Sequence, residues 1–182
     1  IIGANSYDDV FANERRAFVY YGSAAGLPGT PDITLDGANQ LNAIFGNSVA
    51  SAGDVNGDGY NDVIVGAYQY DDGFVNEGLA FVYHGAAGGL SATPNSILDD
   101  ADQVNAFFGV SVSAAGDING DGYSDVIIGA YGYTDMGNVG EGRAFVYNGN
   151  DSTSNQRNNL RLYNSDLTTP INSSNFMFGN FL

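Results

Sequence analysis

The chain has 182 residues, 43% of them apolar, and carries 21 Asp or Glu against 5 Lys or Arg, for a formal net charge of −16. So little basic surface disfavours nucleic-acid binding and attraction to anionic membranes, and no membrane-spanning run is present. The absence of cysteine excludes a disulfide framework and a thiolate zinc cluster.

From the N-terminus, Ile1-Ile2-Gly3-Ala4 is a short β-branched run of the kind that forms a buried strand. It returns at Ile64-Val65-Gly66-Ala67 and at Ile127-Ile128-Gly129-Ala130. Ala17-Phe18-Val19-Tyr20 reads as the next strand and returns at Ala80–Tyr83 and Ala144–Tyr147. A weaker segment lies around Leu35, matched by Ile97-Leu98, and Asn39-Gln40-Leu41-Asn42 is matched by Asp102-Gln103-Val104-Asn105. Phe45-Gly46-Asn47-Ser48-Val49 returns as Phe108-Gly109-Val110-Ser111-Val112, a period of about 63 residues. One period thus holds four short strands separated by glycine-rich turns, and no stretch shows a sustained helical period. The expected fold is all-β, with β-propeller blades of four antiparallel strands stacked on their neighbours. Val63, Val65, Phe81, Tyr83, Val126, Ile128, Phe145 and Tyr147 fall on central strands and are expected in the core.

Between the first and second strands of two units stand Asp54-Val-Asn-Gly-Asp-Gly-Tyr-Asn-Asp62 and Asp117-Ile-Asn-Gly-Asp-Gly-Tyr-Ser-Asp125. Side-chain oxygens at positions one, three, five and nine, with glycines that let the backbone curl, suit a hard cation that takes six to eight oxygens. The expected Ca²⁺ ligands are Asp54, Asn56, Asp58 and Asp62 with the Tyr60 carbonyl, and Asp117, Asn119, Asp121 and Asp125 with the Tyr123 carbonyl. An EF-hand would place a bidentate Glu at position twelve, and a dockerin loop would also want a carboxylate there; Val65 and Ile128 occupy it. A plain Asp/Asn/Gly turn without metal is the alternative, and it does not account for two copies in one register. Two bound Ca²⁺ ions would also cancel about four negative charges where self-repulsion is strongest.

Phe45-Gly46, Phe108-Gly109, the two Asp-rich loops and the Gly-Ala pairs beginning at Gly3, Gly66 and Gly129 resemble the FG-GAP repeats of the integrin α-subunit propeller and its bacterial relatives. The resemblance covers about residues 1–149. The family's proline after Gly-Ala is replaced by Asn5, Tyr68 and Tyr131. The resemblance implies that the loops at 5–14, 68–77 and 131–141 lie opposite the calcium loops, on the face where relatives bind partners. Tyr7, Tyr70 and Tyr133 recur there, with Asp71 and Asp72 beside Tyr70, and form a candidate partner-binding set. Packing of these tyrosines between blades is the competing reading.

The expected units are a partial blade at 1–44 holding strands two to four, blades with calcium loops at 45–107 and 108–175, and a candidate first strand of a further blade at 176–182. The third unit carries a long polar insertion after Asn148, and Leu160–Tyr163 is the candidate for its fourth strand. Two explanations fit this permuted register: a segment of a longer polypeptide, or several chains completing one another, with 176–182 of one copy pairing head to tail beside 1–4 of another. Asn150 and Asn172 fit the N-glycosylation acceptor pattern.

No catalytic constellation emerges. His84, the single histidine, reads as a cap on the exposed end of the third strand. Ser48 and Ser111 read as packing residues, and Glu14, Glu77 and Glu141, which recur before the third strand, as makers of a repeated hydrogen bond. The expected function is a non-catalytic, calcium-stabilised extracellular or cell-surface propeller module for adhesion, recognition or surface assembly, with a protein or glycan ligand. The alternatives are a structural subunit of an extracellular fibre and the non-catalytic portion of a secreted carbohydrate-active enzyme.

Overall fold

The computed structural model describes residues 1–4, 15–36, 40, 42–99, 101–134 and 141–149, and the backbone of 157–162. Tyr7, Asn150, Asn172 and the 176–182 segment lie outside the described residues. Three antiparallel sheets follow one another along the chain, and no helix occurs among the described residues. The first contains β1 (Ile2–Ala4), β2 (Arg16–Val19) and β3 (Ile33–Leu35); the second contains β4 (Phe45–Gly53), β5 (Asp62–Ala67), β6 (Leu79–Tyr83) and β7 (Ser96–Leu98). The third contains β8 (Phe108–Gly116), β9 (Asp125–Ala130), β10 (Arg143–Tyr147) and β11 (Arg157–Leu162). Each sheet is a meander whose neighbours in space are neighbours in sequence, which is the four-stranded blade expected for the second and third units.

The middle strands bury both faces because each sheet packs against another. Every residue of β6 and β10 is buried, as the continuous apolar runs Leu79–Tyr83 and Ala144–Tyr147 require. Seven of the eight expected core residues are buried; Val63 is half-buried against one face of its sheet, and Ile64, on the opposite face, is wholly buried. Phe45 and Phe108 are wholly buried and meet Phe81 and Phe145 edge-on, with centroids 5.6 and 5.2 Å apart.

The Phe-Gly pairs make the seams between sheets. Gly109 turns left-handed (φ 82°), which opens a bulge in β8 and brings its carbonyl against Gly66 of β5. A Cβ at Gly66 would fall on that carbonyl, so only glycine permits the approach. Gly3 and Gly46 repeat this contact between the first and second sheets. Main-chain bonds close the same seam: the amides of Phe107 and Phe108 donate to the carbonyls of Asn76 (3.0 Å) and Glu77 (2.7 Å). Ser48 does more than pack, since its Oγ accepts the Val112 amide of the next sheet at 3.0 Å.

Candidate metal loops and the opposite loop face

The loop at 54–61 joins β4 to β5, and that at 117–124 joins β8 to β9. Their opening aspartates organise the curl. Asp54 Oδ1 accepts the amides of Gly57 (2.7 Å) and Asp58 (3.0 Å), and its Oδ2 accepts that of Gly59 (2.8 Å). Asp117 repeats this with Gly120, Asp121 and Gly122. Three amides converge on one carboxylate because the chain turns left-handed at Gly57 and Gly59 (φ 74° and 88°) and at Gly120 and Gly122 (φ 75° and 94°). Asn56 Nδ2 lies 3.0 Å from Asp58 Oδ2, and Asn119 Nδ2 lies 2.8 Å from Asp121 Oδ2. The amides of Tyr60 and Tyr123 donate to Asp58 Oδ1 and Asp121 Oδ1 at 2.9 and 3.0 Å.

The ninth-position acids sit differently. Asp62 and Asp125 are completely buried. Asp62 accepts the amides of Val55 (2.8 Å) and Gly85 (2.7 Å), and Asp125 accepts those of Ile118 (2.7 Å) and Gly149 (3.0 Å). Each therefore ties its loop to the residues that follow the third strand of its sheet. Burial raises the Asp62 carboxyl above its ordinary value, against the pull of the Gly85 and Val55 amides and of His84. His84 itself lies at the end of β6, where its amide donates to Asn95 Oδ1 (2.8 Å) and its carbonyl accepts from Ser91.

The donor set fits a hard divalent cation. Each expected ligand side chain carries an oxygen, and a carboxylate oxygen that accepts one amide retains a second lone pair for a metal. The three acids of one loop do not close within 4.8 Å of one another, so Asn56 or Asn119 and the main chain would complete the set. The two loops also touch. Ser124 Oγ accepts the Asp54 amide (3.2 Å), the Ser124 amide donates to the Asp54 carbonyl (2.9 Å), and the Tyr123 ring covers Gly57. Sequence reasoning missed this clasp, because position eight differs between the copies (Asn61 and Ser124).

At the other end of the sheets, Tyr70 and Tyr133 are half-buried and pack on their own sheets. Tyr70 meets Phe81 at 6.2 Å and Tyr133 meets Phe145 at 5.6 Å, while the Arg143 guanidinium lies 4.0 Å over the Tyr133 ring. Asp71 is exposed, but its Oδ1 accepts the Asn76 amide (2.6 Å) and its main chain is held by Gln40 through two bonds of 2.9 and 2.7 Å. Gln103 holds Thr134 in the same way at 2.9 Å in both bonds, which explains why the glutamine recurs. Tyr68 and Tyr131, at the positions of the missing prolines, both pack on Phe107, with Tyr131 stacked at 4.8 Å.

Glu77 departs from its expected role. The hydrogen bond at this position is made by its carbonyl, and neither carboxylate oxygen has a hydrogen-bond partner although the residue is wholly buried. Its carboxylate lies with those of Asp72 and Asp99, one oxygen from each within 4.8 Å of the others. Burial raises the Glu77 carboxyl, and the amides of Phe74 and Asp72, which approach it without the geometry of a hydrogen bond, counter only part of that rise. Asp99 is pushed up to about 6 by burial and then by the charges of Glu77, Asp102 and Asp72.

Residues 45–83 and 108–147 match the FG-GAP repeat family. These two segments are FG-GAP repeats. The chain is also 34% identical over 135 residues to integrin alpha-5 of Xenopus laevis, which covers 72% of this chain and 12% of that protein. It is 41% identical over 103 residues to integrin alpha-IIb of Mus musculus (57% and 10%) and 36% identical over 131 residues to integrin alpha-6 of Homo sapiens (71% and 11%). The chain thus spans about a tenth of the length of these relatives. Each matched FG-GAP repeat begins at the Phe-Gly seam and ends at the tyrosine closing the third strand, so it contains the whole Asp-rich loop and the opposite loop.

Proposed function

We propose that this chain is part of an extracellular FG-GAP propeller that recognises a protein ligand and is stabilised by Ca²⁺ in the loops at 54–62 and 117–125. The observation that carries the metal reading is the duplicated loop geometry. In both copies four backbone amides and the same asparagine are drawn around two aspartates, at distances that agree between copies to within about 0.2 Å. The likeness to integrin alpha subunits supports adhesion or recognition, and the loops at 68–78 and 131–142 supply the candidate surface, with Tyr70, Tyr133 and Asp72 presented there. The module performs no catalysis in this reading.

Calcium binds the folded loop and not the unfolded chain, so it raises stability by mass action, by about 2.7 kcal/mol at a concentration one hundred times Kd. The thermal midpoint is expected to fall when EDTA replaces millimolar calcium. Asp58→Ala and Asp121→Ala should each lower the midpoint in calcium and leave the EDTA value nearly unchanged. A wild-type melt indifferent to EDTA, in protein shown by elemental analysis to be metal-free, rules the reading out.

A further inference from the structure

The acids at the far end of the second sheet raise a separate question. Asp72 lies in the loop after β5, Glu77 two residues before β6, and Asp99 immediately after β7, so antiparallel topology delivers all three to the end opposite the calcium loops. One carboxylate oxygen from each lies within 4.8 Å of the other two. Like charges at that separation repel, and a buried carboxylate with no hydrogen bond is among the costliest groups a fold can hold. Glu77 is such a group: it is fully buried, and both its oxygens lack a hydrogen-bond partner. Every charged side chain that acts on Asp99 is itself an acid.

A comparison among the repeats adds an independent point. Two residues after the corresponding glutamate, the flanking copies carry Arg16 and Arg143, following Glu14 and Glu141. The middle copy has Leu79 there, so the guanidinium available at that register in its neighbours is absent. In the first copy the whole acidic trio also recurs in sequence, as Asp9, Glu14 and Asp36, together with Arg16. The middle copy keeps the acids and lacks the built-in cation.

We propose that Asp72, Glu77 and Asp99 form a third divalent-cation site, one that takes calcium, distinct from the two FG-GAP loops. Two oxygens on opposite sides of a Ca²⁺ ion at about 2.4 Å stand about 4.8 Å apart, so three carboxylate oxygens that all lie within 4.8 Å of one another can reach one such ion. Asp72 is exposed and Asp99 half-buried, which leaves the ion a path to water and room for water ligands to complete its coordination. The bound cation replaces the missing arginine, satisfies Glu77, and pins the loop after β5 to the segment after β7.

The test is the number of calcium ions bound by the full chain, counted by equilibrium dialysis and titration calorimetry. Three are expected for the wild type. Glu77→Gln should bind two, and Asp72→Asn, an exposed change that spares the core, should weaken one site at least about tenfold. The double variant Asp58→Ala/Asp121→Ala should retain one ion. All ions bound at wild-type affinity in Asp72→Asn, or two ions in the wild type that both vanish in the loop double variant, overturns this site and leaves the loop sites standing. One wild-type ion that survives in the loop double variant supports this site and removes the loop reading instead. If Glu77→Gln does not fold, Asp72→Asn decides the question.

Discussion

Burial lifts the Asp99 carboxyl to about 6 and that of Glu77 above its ordinary range, so both take up protons more readily in the folded chain than in the unfolded one. A raised acid stabilises the fold in its protonated form. For Asp99 that contribution is complete below its unfolded value of 3.8 and is lost as pH rises through about 6. In EDTA, the thermal midpoint should therefore rise as pH is lowered from 7 to 5, and Asp99→Asn should flatten the rise; equal slopes in variant and wild type would count against this account. The curled Asp-rich loops were legible as motifs because such a loop is a local device, nine residues long, spelled twice. The carboxylate cluster was not legible, since Glu77 and Asp99 meet only through the pairing of β6 with β7. The same holds for Ser124, whose partner Asp54 lies 70 residues away in sequence. Glu77 was singled out for its recurrence, but periodicity marks a position and does not say whether the main chain or the side chain does the work there.

Strands were the most readable elements, because runs such as Val126–Ile128 and Ala144–Tyr147 are both β-branched or aromatic and repeated. What the run alone does not tell is which residue of a pair faces inward. Ile128 is wholly buried and Ile127 half-buried, so Ile128→Ala should cost about 2–5 kcal/mol by urea unfolding and Ile127→Ala clearly less. Equal losses would mean that the burial pattern of β9 is misassigned. The Gly-Ala pairs were visible as a motif without a reason, and the seam supplies one. Gly66→Ala drives a methyl onto the Gly109 carbonyl and should cost about 1–3 kcal/mol or more, whereas Gly88→Ala, with open space around it, should stay within about 0.5 kcal/mol. The recurrent tyrosines stayed ambiguous because an aromatic ring in a loop serves packing and recognition alike; Tyr70 and Tyr133 turn one side to their own sheets and remain partly exposed.

Across the described residues the sheets are joined in series, the first to the second through Gly3 and Gly46, the second to the third through Gly66, Gly109, Ser48 and the clasped Asp-rich loops. In such a series, stability is a sum of unit and nearest-neighbour contributions. Amides of β5 and β6, with neighbours on both sides, should exchange with solvent more slowly than those of β2 and β3, and a uniform exchange profile would speak for a single all-or-none unit. The seams also bear on how the chain is made. A ribosome delivers Gly66 well before Gly109, so the nascent second sheet leaves a narrow backbone slot that stays open until the next Phe-Gly emerges. Gly3 and Gly66 offer slots of one shape, and Phe45-Gly46 and Phe108-Gly109 are keys of one cut. A slot on one nascent chain can therefore accept the key of another, and domain-swapped oligomers are the characteristic failure to expect when this protein is expressed faster than its repeats can close on themselves.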